Sequence, residues 1–216
     1  MSKESSIKDL VDILKRIEAR LVSAVHVKLG LIYLKWTIAM VGFTLANLLL
    51  DILKAPSITY LIVALIYWLI AIYLIVFRGR PGYSRALNTY VRMYFREKGI
   101  EDEALRRYRI VYFLGWILAS IVGFALVPLI LGMEYWVSGY PLFLGIGILV
   151  SYMGMEHYLK VYDRVFIVFP VLLILSSLLS AYMVGIDWSL AFYFTITASA
   201  LVFLLIGTRY ILMALR

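Results

Sequence analysis

The chain predicts an all-α integral membrane protein: a bundle of six transmembrane helices with both termini cytoplasmic, plus two amphipathic interfacial helices at about 6–24 and 84–98. Three observations predict it. Hydrophobic residues make up 64% of the 216 and the mean hydropathy is +0.94, whereas a soluble domain is closer to half apolar. Six stretches meet the roughly 20 apolar residues that a helix needs to cross a hydrocarbon core about 30 Å thick: about 29–50, 58–77, 109–131, 136–155, 165–184 and 188–208. With the N-terminus inside, nineteen of the 21 lysines and arginines fall in inner segments, the asymmetry that sets membrane orientation.

The first element is amphipathic. "SSIKDLVDILKRIEARLVSA" spaces Ile7, Leu10, Leu14, Ile17, Leu21 and Ala24 by three and four, one apolar stripe on a helix. Ser6 followed by Asp9 resembles a capping box. Residues 1–28 therefore read as a cytoplasmic helix ahead of the membrane domain 29–216. They do not read as a signal peptide, because Glu4, Asp9, Asp12 and Glu18 interleave with six basic residues. The stripe could lie on the membrane, pair with a second copy or pack on helix 84–98. No proline or glycine stands between Val22 and Leu29, so Gly30 is the expected bend if the chain turns into span one.

Spans one and two are separated by "DILKAPS", and a long basic segment, 78–108, separates spans two and three. Within it, residues 84–98 on a helix put Leu87, Tyr90, Val91, Tyr94 and Phe95 on one face, with Arg85, Arg92 and Arg96 opposite. Ser84 suits the start, and Gly99 suits the left-handed position after the end. Arg78 and Arg80 precede this helix. Together these residues are the candidate lipid- or partner-binding set: the aromatic face in the headgroup region or on a protein, the arginines toward anionic lipid or a partner. Asp102 with Arg106, and Glu103 with Arg107, then form i,i+4 pairs leading into span three.

Gly115, Ala119 and Gly123 make a small-residue stripe on span three, and Ser176 with Ser180 and Thr195 with Ser199 repeat the spacing on spans five and six. Helix packing accounts for all three. Span four is interrupted by Gly139, Pro141, Gly145, Gly147 and Gly154, and is the least regular of the six. The outer connections carry Asp51, Glu134 and Asp187, read as wetted loops beside an aromatic belt; convergence of the three would instead make an acidic vestibule. The spans thus form three in–out–in hairpins of similar length, without a convincing residue repeat.

Ionisable residues inside spans are the usual pointers to function, and there are few. Lys35 lies about one and a half turns inside span one, where a lysine can snorkel; a functional Lys35 would have Glu156 as its mate. Glu156, His157, Lys160, Asp163 and Arg164 bridge spans four and five, with Glu156 and Lys160 an i,i+4 pair. His157, Glu156 and Asp163 with His26 could gather round a metal, but no ligand spacing fixes that geometry, so no metal and no cofactor is expected. Cysteine is absent, which removes disulfides, thiolate sites and a cysteine nucleophile. Glutamine is absent too and asparagine is limited to Asn47 and Asn88, a depletion shared with heat-adapted proteins.

The net charge of +8 would suggest nucleic acid in a soluble protein. Here its placement against a bilayer accounts for it, so no nucleic-acid partner is expected. No Walker A, His-Glu-x-x-His or Gly-x-Ser-x-Gly pattern occurs, and no enzyme activity is expected. The six-span plan with an N-terminal helix and a cytoplasmic helix between spans two and three is similar in outline to permeases of export-type ABC systems. That likeness is topological and implies a separate cytoplasmic ATPase docking on Arg85–Lys98. The leading reading is a permease-type transport subunit for apolar or amphiphilic cargo. The alternatives are a non-transporting anchor or assembly subunit that recruits a soluble protein, a lipid-modifying enzyme around Glu156 and His157, and a channel. A homo-oligomer fits any of them.

Overall fold

The computed structural model describes residues 3–77, 93, 96, 99, 102–155, 157 and 164–215, and every regular element among them is helical. Helix α1 (Lys3–Ile52) is followed by α2 (Ser57–Ile72), which continues through a π-helical turn, Tyr73–Phe77. Helix α3 (Asp102–Ile121) runs through the π turn Val122–Leu126 into Val127–Leu131. A 3₁₀ turn, Met133–Tyr135, leads to α4 (Trp136–Gly154), and a second, Arg164–Ile167, leads to α5 (Val168–Val184). Helix α6 (Trp188–Ala214) completes the bundle. All six contain a stretch long and apolar enough to cross a membrane: Val22–Ile52, Ile58–Ile75, Arg106–Leu131, Met133–Gly154, Val165–Val184 and Trp188–Ala214. These lie within a few residues of the expected spans, apart from the longer ends next to the termini.

Local chemistry explains most of the boundaries. Pro56 immediately precedes α2, and Pro170 sits in the first turn of α5, where a missing N–H costs nothing. The Asp187 carboxylate caps α6 by accepting the Leu190 N–H at 2.9 Å. Pro128 cannot donate into the helix, and the widened turn Val122–Leu126 lies just before it. Helix α1 ends with Lys54 in the left-handed region, φ 52°, and the Ala55 N–H returning to the Leu50 carbonyl at 3.0 Å. That geometry normally selects glycine.

One expectation needs correcting. Gly30 does not interrupt the helix: α1 is unbroken for 50 residues, about 75 Å at the helical rise. Gly30 instead lets α1 approach α6. A Cβ there would lie 3.0 Å from the Gly207 carbonyl oxygen and 2.8 Å from Ile211 Cδ1. Ser23 donates to the Ala214 carbonyl at 2.8 Å, so α1 continues N-terminally past the end of α6. On that continuation Ile13 and Ile17 are exposed.

The core is organised around α6, which packs on α1, α5 and α4. Helix α4 in turn carries α3, and α1 carries α2. The three sequential hairpins are therefore unequal: α3 with α4 and α5 with α6 pack extensively, α1 with α2 sparsely. The glycines of α4 do not weaken it, because they are the surface on which α3 and α5 seat. Gly139 meets the backbone of Gly123; Gly147 admits the Trp116 ring; Gly145 faces Pro170 and Ile174. Ala119 is fully buried and Gly115 is filled over by Val150, so the small stripe on α3 is a packing seam. Hydroxyls stitch the middle: Ser177 donates to the Ser138 carbonyl at 2.7 Å, and Ser180 and Thr195 share a 2.6 Å hydrogen bond.

Candidate functional site

The packing leaves a gap. Helices α2 and α3 stand at opposite ends of the helix order α2–α1–α6–α4–α3, each held mainly by one neighbour, and they do not pack along one another. Between these two arms lies a cavity of about 700 Å³, floored by α6. The basal end of the bundle carries the last residues of α6, and the apical end carries the turns after α1, α3 and α5.

Each wall arises from a helical stripe. On α1, Tyr33, Trp36, Met40 and Phe43 recur at three and four; on α2, Ala64, Trp68 and Ile72 recur at four. Tyr112, Trp116 and Phe124 come from α3, while Trp136, Tyr140 and Phe143 come from α4. Phe192, Thr195, Ile196 and Phe203 make the floor. No Asp, Glu, Lys, Arg or His lines the cavity, and Thr195 already shares its hydroxyl with Ser180. The surface is therefore built for hydrocarbon rather than for an ion.

Aromatic pairs hold each arm. Trp36 and Trp68 lie 6.2 Å apart and Phe43 and Trp68 5.3 Å, joining α1 to α2. Across the gap, Phe143 sits 5.1 Å from both Trp116 and Phe124, joining α3 to α4. Tyr67 adds a hydrogen bond of 2.6 Å to the Ala39 carbonyl, and Gly42 is where its hydroxyl finds room. Basally, Tyr33 stacks on Tyr210 and meets Phe203 at 5.3 Å, closing the floor. Apically, Asp51 accepts hydrogen bonds from Tyr60 of α2 and Tyr193 of α6, tying the α1–α2 turn to the centre.

The carboxylates at the apical turns have separate uses: Asp51 bridges two phenols, Asp187 caps a helix, and Glu134 folds over Gly132 while its carbonyl accepts from Trp188 at 3.2 Å. Among the described residues no three acidic or histidine side chains gather as a metal site would require.

Among the candidate residues from the sequence, Lys35 is exposed and shares a face of α1 with Lys28 and Ile32, at i, i+4 and i+7. His157 is exposed. Arg96 is helical and exposed, and Gly99 stops that helix with φ 65°, its N–H meeting the Arg96 carbonyl at 3.0 Å. Arg78, Arg80, Arg85, Tyr90, Arg92, Tyr94, Phe95 and Glu156 lie outside the described residues. Further on, Glu103 pairs with Arg107 at 2.9 Å as expected, and also reaches Arg106 at 3.9 Å.

Sequence reasoning missed the cavity. Its one available signal was tryptophan placement: of five tryptophans, Trp36, Trp68, Trp116 and Trp136 line the gap. The first three stand well inside their spans rather than in the interfacial belt that tryptophan favours.

No protein family matches the chain, and no curated protein or solved structure matches it significantly. Fold and site define a class only: a chain whose described residues are helical, with six helices able to cross a membrane, built round an uncharged aromatic cavity.

Proposed function

We propose that this chain is a multi-pass protein of the cell membrane, with both termini cytoplasmic, acting as a permease-type transport subunit for an apolar or amphiphilic molecule. The observation that carries the reading is the cavity of about 700 Å³, uncharged, aromatic and flanked by two helices that each have one main neighbour, α2 only sparsely held by its own. A cargo already dissolved in the bilayer reaches such a site sideways. The lack of charge along the path argues against ions, which need polar partners in low dielectric.

Energy comes from a separate soluble partner, an ATPase, docked on the basic segment that includes Arg85, Arg92 and Arg96. Purifying the protein from its own membranes in mild detergent and weighing the intact assembly by native mass spectrometry tests this. A co-purifying ATPase that Arg85→Glu, Arg92→Glu and Arg96→Glu together release supports it. A partnerless chain contradicts it.

One observation favours a second reading. Helix α1 continues past α6 and exposes Ile13 and Ile17, which suits an anchor that recruits a soluble protein without moving cargo. Such an anchor would co-purify with a partner that is not an ATPase.

A further inference from the structure

The proposed function leaves the ligand open. Resting on that reading, we infer that the cavity takes the hydrocarbon chain of an anionic lipid, which slides in from the bilayer between α2 and α3 with its head at the basal mouth. Three observations carry this.

The first is length. The α1 lining runs from Ile32 to Phe43, about 17 Å at the helical rise, or slightly over half of a hydrocarbon core about 30 Å thick. That is the depth of one leaflet's chains. The second is lateral access: the walls belong to helices that do not pack on each other, so a chain can enter without leaving the bilayer.

The third is charge. Arg109 falls at i,i+3 before Tyr112 and i,i+7 before Trp116, two lining residues, and so stands on the cavity-facing stripe of α3 one turn toward the basal end. It is exposed. Lys28 holds the equivalent place on α1, i,i+4 before the lining residue Ile32. An apolar slot lined by no charged side chain, with Arg109 beside one wall and Lys28 beside the other toward the basal end and Lys35 exposed on the same face of α1 as Lys28, matches a long chain ending in a phosphate or other anionic head. The apical mouth offers no such pair: Trp136 and Phe192 stand there, and the nearby turn after α1 presents Asp51, already engaged by two tyrosines.

Tryptophan fluorescence gives a direct test, because four of the five tryptophans line the cavity. Delipidated full-length protein in detergent is titrated with phosphatidylglycerol carrying dibrominated chains, and separately with dibrominated phosphatidylcholine. The expected result is saturable quenching by the anionic lipid at a stoichiometry of about one, confirmed by native mass spectrometry. The Lys28→Gln, Arg109→Gln double variant should lose about thirtyfold in affinity for phosphatidylglycerol, as two basic contacts imply, and little for phosphatidylcholine. Ala64→Phe, or the milder Ala64→Leu, fills the slot from the loosely packed α2 and should abolish saturation for both lipids, with the elution profile and thermal midpoint reporting that the bundle stays folded.

Saturable quenching that ignores the headgroup and the double variant overturns the anionic assignment but leaves the transport reading intact. Quenching that rises linearly with lipid and is unmoved at Ala64 overturns the inference altogether. Lipid binding as expected without a co-purifying ATPase supports the inference while the transport reading fails.

Discussion

Individual residues here are explained by what their backbone or their one partner demands. Lys54 holds φ 52° at the end of α1, a conformation that costs a side-chain-bearing residue about 1–2 kcal/mol. Lys54→Gly removes that strain while adding some unfolded-chain entropy, so a net gain of about 0.5–1 kcal/mol is expected, read as a higher thermal midpoint in detergent. Asp51 is the only link from the α1–α2 turn to α6 through side-chain hydrogen bonds among the described residues. Asp51→Ala should speed amide hydrogen exchange through the turn and the start of α2 and leave α4 and α5 unchanged. Neither residue announced these roles in the sequence. An aspartate before a turn reads as wetted polarity until its two phenols are placed beside it.

At the scale of elements, glycine decides how closely helices approach. A Cβ at Gly139 would run into the backbone of Gly123, where nothing can yield, whereas at Gly185 the nearest atom is the Tyr182 carbonyl at 3.4 Å. Gly139→Ala should therefore cost about 1–3 kcal/mol by overpacking and Gly185→Ala close to nothing, compared by thermal unfolding of the two variants. The positions of the spans were legible because apolar length and polar turns are local properties. The small stripe Gly115–Ala119–Gly123 was legible as packing for the same reason. Partner choice was not legible: nothing local says that α1 seats on α6, that Gly30 serves this contact rather than a helix break, or that α2 is left at the rim. Those outcomes depend on which surfaces fit across the whole bundle. The basic aromatic segment 84–98 reads as a helix in the sequence but lies mostly outside the described residues, of which Met93 and Arg96 are helical and Gly99 donates to the Arg96 carbonyl.

For the molecule as a whole, the distribution of charge predicts an orientation in a membrane, and the gap between its two arms underlies the function proposed for it. Because cysteine is absent, single cysteines report topology without background. A cysteine at position 54 should react with an impermeant maleimide on intact cells, and one at position 215 only after permeabilisation; the reverse pattern would invert the orientation read from lysine and arginine. The cavity was only faintly legible, as tryptophans set too deep in their spans, because a void is made by helices that fail to meet and no single segment encodes it.

The central claim is that this void is a path for an amphiphile. The most direct measurement is flux. The purified assembly is reconstituted into liposomes that contain a small fraction of fluorescent phosphatidylglycerol, and the movement of label between leaflets is followed by dithionite quenching with and without ATP. The account predicts ATP-dependent movement that Ala64→Phe reduces at least tenfold without displacing the partner. Partner-bound, correctly folded protein that moves no lipid, with ATP or without, would contradict it and leave an anchor in its place.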